Sequence, residues 1–259
     1  MDLLKFQEIA LQASKAAGEI LLKYYGANNL IEIKSDNSPV TIADTESERE
    51  IIEIISKNFP NHSILGEESG SKEHDSEYLW VIDPLDGTSN FSNTIPYFCS
   101  SICLLKNKIP IVAVIYDPIH HDLFTACKGL GTYLNGEKIF LGNKNLPKTF
   151  YVSLVYTRSK EKKPEVDEIF KKLNPPEYRM RNMGAAALEL SYVAAGKLQA
   201  ILVNGNNPWD VCGGILLILE AGGFVTDFDD QPWTFQSKNI IAGHPVMQKK
   251  LSKVLKTPK

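Results

Sequence analysis

The sequence predicts a layered α/β protein in which two sheets are covered by helices. Three observations carry that expectation. Two stretches with helical spacing open the chain, a run of strand-like segments separated by turn residues follows, and the last third alternates strand with helix.

Residues 3–25 place Leu3, Phe6, Ala10, Ala13, Ala17, Ile20, Leu21 and Tyr24 three and four apart, one apolar stripe that Gly26 stops. A second helix is expected from about Asp44 to Asn58. Thr45 and Glu48 are spaced as its capping box, isoleucines follow at 51, 52, 54 and 55, and Pro60 ends it. Tyr78–Ile82 is a short continuous apolar run that reads as a buried strand leading into Asp83. Strands are expected at 99–105, 110–116, 122–127 and 131–140, with turn residues at Asn107-Lys108, Asp117-Pro118 and Asn135-Gly136. Past Pro147 the composition loosens, and Lys160–Pro164 and Asn174-Pro175-Pro176 read as surface connections. A helix from Gly184 to Ala195, a strand at 198–203, a helix from about Asp210 to Ala221 and a strand at 224–228 complete the pattern.

Composition narrows the function. At 259 residues the chain suffices for one large or two modest domains, and 43% hydrophobic with 23% charged residues is ordinary for a folded, water-soluble protein. Net charge is −3 and no basic stripe is present, which argues against a nucleic-acid polymer as partner. The lysine clusters at 160–163 and 249–250 read as solvated faces. No apolar run approaches the roughly 18 residues of a membrane span, and Lys5, Glu8, Lys15 and Glu19 interrupt the first helix too often for a signal peptide. Four cysteines, Cys99, Cys103, Cys127 and Cys212, sit inside apolar runs, so reduced, buried thiols and a cytoplasmic location are expected. Strand-like alternation and the lack of a paired histidine argue against zinc at Cys99 and Cys103.

Three places concentrate carboxylates: Gly66-Glu67-Glu68-Ser69, Asp83-Pro84-Leu85-Asp86-Gly87-Thr88, and Trp209-Asp210 ahead of Gly213-Gly214. Each alone has a plain structural explanation, as a turn, a surface pair or a helix cap. Together they have a chemical one. Asp83, Asp86 and the Leu85 carbonyl offer the hard oxygen donors that Mg2+ prefers. If Glu67 and Asp210 fold onto the same turn, four negative charges share a small volume, and cations would relieve their repulsion. Two ions can clamp both oxygens of an in-line displacement at phosphorus and acidify a water. The amides near Gly87 and Thr88 suit phosphate oxygens, and the Thr88 hydroxyl can orient the water. Asp44 reads equally as the acceptor of that water's proton and as an acid favoured by a helix N-terminus.

In combination, Asp44, Glu67-Glu68, Asp83 to Thr88 and Trp209-Asp210 resemble the inositol monophosphatase family, lithium-sensitive and magnesium-dependent phosphatases. The six-residue core is its specific part. Lys34 through Asp44, Ser89-Asn90-Phe91, Gly129 to Gly136, Gly184 to Ala187 and Glu220 to Gly223 extend the resemblance over nearly the whole chain. It implies a five-layer αβαβα sandwich spanning residues 1–259 as one unit. Most ligands would lie in 1–146 and the last aspartate in 147–259. It also implies a homodimer, two or three Mg2+ ions, inhibition by Li+, and a small phosphate ester as substrate. Glu67, Asp83 and the Leu85 carbonyl would bind one ion; Asp83, Asp86 and Asp210 a second; and Glu67 a weaker third. Thr88 and Asp44, with Glu67, would be catalytic. Gly87, Thr88, Asp86, Ala186 and Asp210 would line the phosphate and substrate, with Lys34 and Glu68 beside them.

One departure bears on substrate. Several family members carry a substrate-contacting glutamate seven positions before the last metal aspartate, and this chain has Val203 there. Asn204, Asn206 and Asn207 are the nearby candidates to replace it. Ser89-Asn90-Phe91 favours inositol 1-phosphate or a related sugar or polyol phosphate. A 3′(2′),5′-bisphosphate nucleotide and fructose 1,6-bisphosphate are alternatives, and an inert binding or regulatory protein on the same fold is a remote one. Arg179 and Arg181 read as surface charge or as a handle for a second anionic group, His120-His121 as a turn, and Trp209 as packing behind Asp210.

Overall fold

A computed structural model describes residues 2–27, 30–33, 39–141, 146–157 and 162–256; Lys34 and Lys160 lie outside the described residues. The alanine stripe makes a long helix, α1 (Leu3–Tyr24), whose buried Ala10, Ala13, Ala17 and Gly18 let it press close to its neighbours. A Cβ at Gly18 would stand 2.6 Å from the Tyr116 ring, so that approach needs glycine. A small antiparallel pair, β1 (Leu30–Ile33) and β2 (Pro39–Thr41), leads into α2 (Ile42–Asn58).

Helix α2 begins earlier than its sequence suggests, because the capping box is Thr41 with Asp44 and not Thr45 with Glu48. The extended Thr41 donates its amide to Asp44 Oδ2 at 2.8 Å, which fixes the Asp44 carboxylate over the helix start. Glu48, one turn on, is released for another task.

Strands β3 (Ser63–Gly66), β4 (Gly70–Lys72) and β5 (Tyr78–Asp86) precede a single-turn helix, α3 (Thr88–Ser92). A meander follows: β6 (Cys99–Lys106), β7 (Ile109–Asp117), β8 (Asp122–Cys127), β9 (Gly131–Leu134) and β10 (Glu137–Ile139). Their sheet runs β10-β9-β8-β7-β6-β5-β3-β4, antiparallel except where β3 meets β5. The predicted strand at 131–140 is a hairpin. Asn135 and Gly136 both take positive φ, as do Asn107 and Lys108, and such residues turn a two-residue hairpin in the sense the strand twist requires.

The second half forms β11 (Phe150–Tyr156), α4 (Lys163–Lys172), β12 (Tyr178–Arg181), α5 (Ala186–Ala194), β13 (Ala200–Asn204) and α6 (Pro208–Glu220). It closes with β14 (Phe224–Thr226), β15 (Asn239–Gly243) and α7 (Pro245–Lys256). The order of this sheet is β12-β11-β13-β15-β14, with the first three strands parallel. The segment at Lys163–Pro164, read as a connection, opens α4 instead. Its amphipathic pattern buries only Val166 and Ile169, too little to stand out in a lysine-rich stretch.

Alternation along the strands sets the layers. Val112 and Val114 of β7 face α1 and α2, in a core that includes Ala13, Ile51 and Ile55. Ala113 and Ile115 face the other way, toward Leu190 of α5 and Ile215 of α6, and these meet Ile201 and Val203 of the second sheet. Ala200 and Leu202 face outward to Val166, Met247 and Leu251 on α4 and α7. The stack is therefore helix, sheet, helix, sheet, helix, the five-layer αβαβα arrangement.

The middle layer is the tightest. A Cβ at Gly214 would stand 2.3 Å from Leu190 Cβ, so α5 and α6 touch nearly backbone to backbone. Gly214→Ala should cost about 1–3 kcal/mol through overpacking, measured by denaturant unfolding; an unchanged midpoint would contradict the contact.

Candidate functional site

In a regular strand, residues three apart point to opposite faces. Asp83 and Asp86 are three apart at the end of β5, yet they interact, because the pairing with β6 slips there. Asp83 pairs with Ser101 and Asp86 with Cys99, so one extra residue on β5 resets the alternation. Asp83 is 2% exposed and Asp86 8%. Asp83 Oδ1 accepts the Leu85 amide at 3.0 Å, which curls the strand end and leads into the left-handed Gly87 that starts α3. A Cβ on Gly87 would meet the Tyr97 carbonyl at 3.0 Å and Ala185 Cβ at 3.1 Å, on a backbone of φ +94°.

Asp86 reaches across to the second half of the chain. Its Oδ1 accepts from the Ala186 amide at 3.0 Å, and its Oδ2 from Ala187 at 2.7 Å and Leu188 at 3.4 Å. These are the first amides of α5, which lack intrahelical acceptors, so the carboxylate caps that helix from 100 residues away. The Ala186 amide is thereby committed to Asp86.

Asp210 sits in the first turn of α6, where its Oδ2 accepts the Asn207 amide at 2.9 Å. Trp209 packs beside Val81, Cys103 and Leu105. Glu67 follows β3, and its amide donates to the Ile82 carbonyl at 3.1 Å, which holds it against β5. Glu68 and Ser69 donate their amides to Glu48 of α2 at 3.0 and 2.8 Å. The Thr88 hydroxyl lies 3.2 Å from Asp44 Oδ1 and 3.0 Å from the Leu85 carbonyl, within donating reach of either.

The electrostatics follow from this convergence. Burial first, then the charges of Glu67, Asp86 and Asp210, push the Asp83 carboxyl well above the usual range. Asp86 is raised by burial and by Asp210, against the opposing pull of the α5 amides. Asp44 is raised to about 7, chiefly by burial, with Thr41 opposing and Glu68 and Glu67 adding to the rise. Among the described residues no Lys, Arg or His forms an ion pair with Asp83 or Asp86. Nor do three or more Asp, Glu, His or Cys side chains already stand close enough together to hold an ion. The donor set nonetheless fits a hard divalent cation, since it is all oxygen and it repels itself.

A model of the inositol monophosphatase family matches residues 2–257. The chain belongs to this family. Its relatives include the Nus factor SuhB of Escherichia coli, 39% identical over 241 residues that cover 92% of this chain and 90% of that protein. The inositol-1-monophosphatase of a Synechocystis species is 38% identical over 98% of this chain and 90% of its own length. Among solved structures, inositol monophosphatase from Anabaena (Nostoc) overlays with a TM-score of 0.87 at 38% identity, covering 98% of this chain and 96% of that one. The inositol monophosphatase family consists of phosphatases that generally depend on Mg2+.

The structure also places the other residues that the sequence singles out. Val203 is fully buried in the apolar core between the sheets. The neighbouring Asn204 is also buried, with its Oδ1 accepting from Lys162 at 3.1 Å. Arg179 and Arg181 donate to nearby carbonyls, and Arg181 lies over Tyr151. His120 joins a turn around the buried Asp117. Cys99 and Cys103 lie about 13 Å apart along one strand, too far to share an ion; all four cysteines are buried and free.

The sequence also hid supporting residues. Asn90 donates to the Tyr97 and Met183 carbonyls, both at 2.8 Å, tying α3 to the segment before α5. Glu189 is fully buried and takes the Met183 and Gly184 amides, each at 3.1 Å. The one signal for Glu48 is its position four residues after Asp44, on the same helix face.

Asp44, Asp83 and Asp86 all hold their protons more tightly folded than unfolded. Their stabilisation is complete below the ordinary carboxyl range near pH 4 and is lost as pH rises through the folded values, about 7 for Asp44. In a chelator, thermal melts from pH 5 to 8 should therefore show a falling Tm, and added Mg2+ should restore more at pH 8 than at pH 5. A Tm that rises with pH in the chelator would contradict the shared cluster.

Proposed function

We propose that this chain is a Mg2+-dependent phosphomonoester hydrolase acting on inositol 1-phosphate or a related sugar or polyol phosphate. The observation that carries the reading is that buried Asp83 and Asp86 feel the charges of half-buried Glu67 and Asp210, beside a Thr88 hydroxyl poised between the Leu85 carbonyl and Asp44. Both halves of the chain feed this one site, and we place the protein in the cytoplasm as a homodimer, with Li+ as an inhibitor.

Glu67, Asp83 and the Leu85 carbonyl would hold one ion, and Asp83, Asp86 and Asp210 a second, with Glu67 also touching a weaker third. Mg2+ would neutralise the cluster, polarise the phosphoryl oxygens and make a water more acidic. The Thr88 hydroxyl would orient that water and take its proton as its own passes to Asp44 Oδ1, 3.2 Å away. An acceptor raised to about 7 is matched to proton transfer near neutral pH. The Gly87 and Thr88 amides, at the free end of α3, receive phosphate oxygens. Ala186 contributes through Asp86, because its amide is already donated there.

The relatives named Nus factor support a second reading, a binding role beside or in place of catalysis. Phosphate release with Mg2+ and with a chelator, across inositol 1-phosphate, fructose 1,6-bisphosphate, 3′-phosphoadenosine 5′-phosphate and a nucleoside monophosphate, separates the two. The enzyme reading expects metal-dependent release with inositol 1-phosphate preferred. Release from none of the four would leave the binding role. Asp210→Asn preserves shape but removes charge from the cluster, and should lower kcat by about 100-fold or more; near-normal turnover would remove Asp210 from the site.

A further inference from the structure

Glu67 would be an effective ligand only if the turn that carries it is held still. The amide of Glu67 is fixed to the Ile82 carbonyl on β5 at 3.1 Å. The next two amides, of Glu68 and Ser69, both end on one side chain, Glu48, at 3.0 Å to Oε1 and 2.8 Å to Oε2. Glu48 is 3% exposed and rises from α2 one turn beyond Asp44. Space is kept for it by Gly66, where a Cβ would lie 2.3 Å from Glu48 Oε1 and 2.7 Å from Ser69 Oγ. The turn is thus clamped from two sides, by strand β5 and by helix α2.

We propose that Glu48 is a positioning residue whose carboxylate sets the Glu67–Ser69 turn and thereby the affinity of the site for Mg2+. The inference rests on the phosphatase reading above and adds to it a residue that touches neither ion nor substrate. Two features favour this over a purely structural role. The Cα from which Glu67 projects is bracketed by two fixed amides, its own on the Ile82 carbonyl and that of Glu68 on Glu48, and the Ser69 amide on the second carboxylate oxygen fixes the orientation of the clamp. Glu48 also rises one turn after Asp44 on α2, so its two bonds tie the turn to the helix that carries the Asp44 carboxylate. Through α2, the same rigid element then sets both the Asp44 carboxylate and the Glu67 turn.

Glu48→Gln tests it. The amide keeps one acceptor and turns an NH2 toward the second backbone donor, so the clamp loses one of its two bonds. Magnesium binding by isothermal titration calorimetry should weaken about 10-fold or more, in line with supporting residues around metal ligands. Half-activating Mg2+ in phosphate release should rise in parallel, while kcat at saturating Mg2+ stays near the wild-type value. Glu48→Asp, which keeps the charge one methylene shorter, should fall between. A merely structural residue would lower Tm in chelator and leave Mg2+ affinity unchanged, and that result would overturn the proposal. If Glu48→Gln fails to fold, Gly66→Ala displaces the intact carboxylate and should show the same weakening; unchanged affinity there overturns the proposal equally. A wild-type chain that binds Mg2+ but releases no phosphate refutes the phosphatase reading alone, and the calorimetric comparison still decides on Glu48. A wild-type chain that binds no Mg2+ overturns both.

Discussion

The carboxylate of Asp86, seated on the first three amides of α5, is the contact around which this fold is organised. It joins the last residue of a strand in the first sheet to a helix of the middle layer. A buried charge needs hydrogen-bond donors or a counter-charge, and the start of a helix supplies donors together with the positive end of its dipole. The same device recurs around the site. Asp44 lies in the first turn of α2, Asp210 in the first turn of α6, and Gly87 begins α3. Helix starts from both halves of the chain are gathered at the end of β5, and carboxylates fill the positive field they create.

That arrangement compensates only in part. The raised Asp83 and Asp86 carboxyls show that amides and dipoles fall short of the repulsion among four acids and the penalty of burial. A cluster of this kind is held together by the surrounding packing rather than by its own interactions. The middle layer packs closely where Gly214 lets α6 meet α5, and side chains clamp the turns: Glu48 holds the Glu67 turn, Glu189 the segment before α5, and Asn90 ties that segment to α3. Proteins commonly give up stability at a functional site and recover it elsewhere.

Local pattern was the legible part of the sequence. The alanine stripe of α1, the apolar run into Asp83 and the turn pairs of the meander each follow from neighbouring residues, and the structure places them as expected. The acids were legible as a set because their types and spacing suit one chemistry. Contacts between distant positions were not. Nothing local tells that Asp86 caps a helix 100 residues on, or that a slipped register turns Asp83 and Asp86 to one side. Glu48 was mistaken for a cap because Thr41 sits just outside the apolar pattern that suggested the start of α2. Val203 stands where, by the resemblance, relatives carry a glutamate, and strand alternation buries its side chain between the sheets, which the spacing from Asp210 does not tell. The short strand Asn239–Gly243 and the helices at Lys163–Lys172 and Pro245–Lys256, their patterns diluted by lysine and proline, were passed over, as was the strand Phe150–Tyr156, whose β-rich run was legible in the sequence.

The central claim is that carboxyls raised by burial and mutual repulsion form a site that a divalent cation relieves. Such a site must give up protons when the ion enters. Calorimetric titration of Mg2+ at pH 6.0, in two buffers of different ionisation enthalpy, counts those protons directly. The account predicts a binding heat that differs between the buffers by an amount corresponding to net proton release. Binding with the same heat in both buffers would mean that the carboxyls are already ionised, and would contradict it.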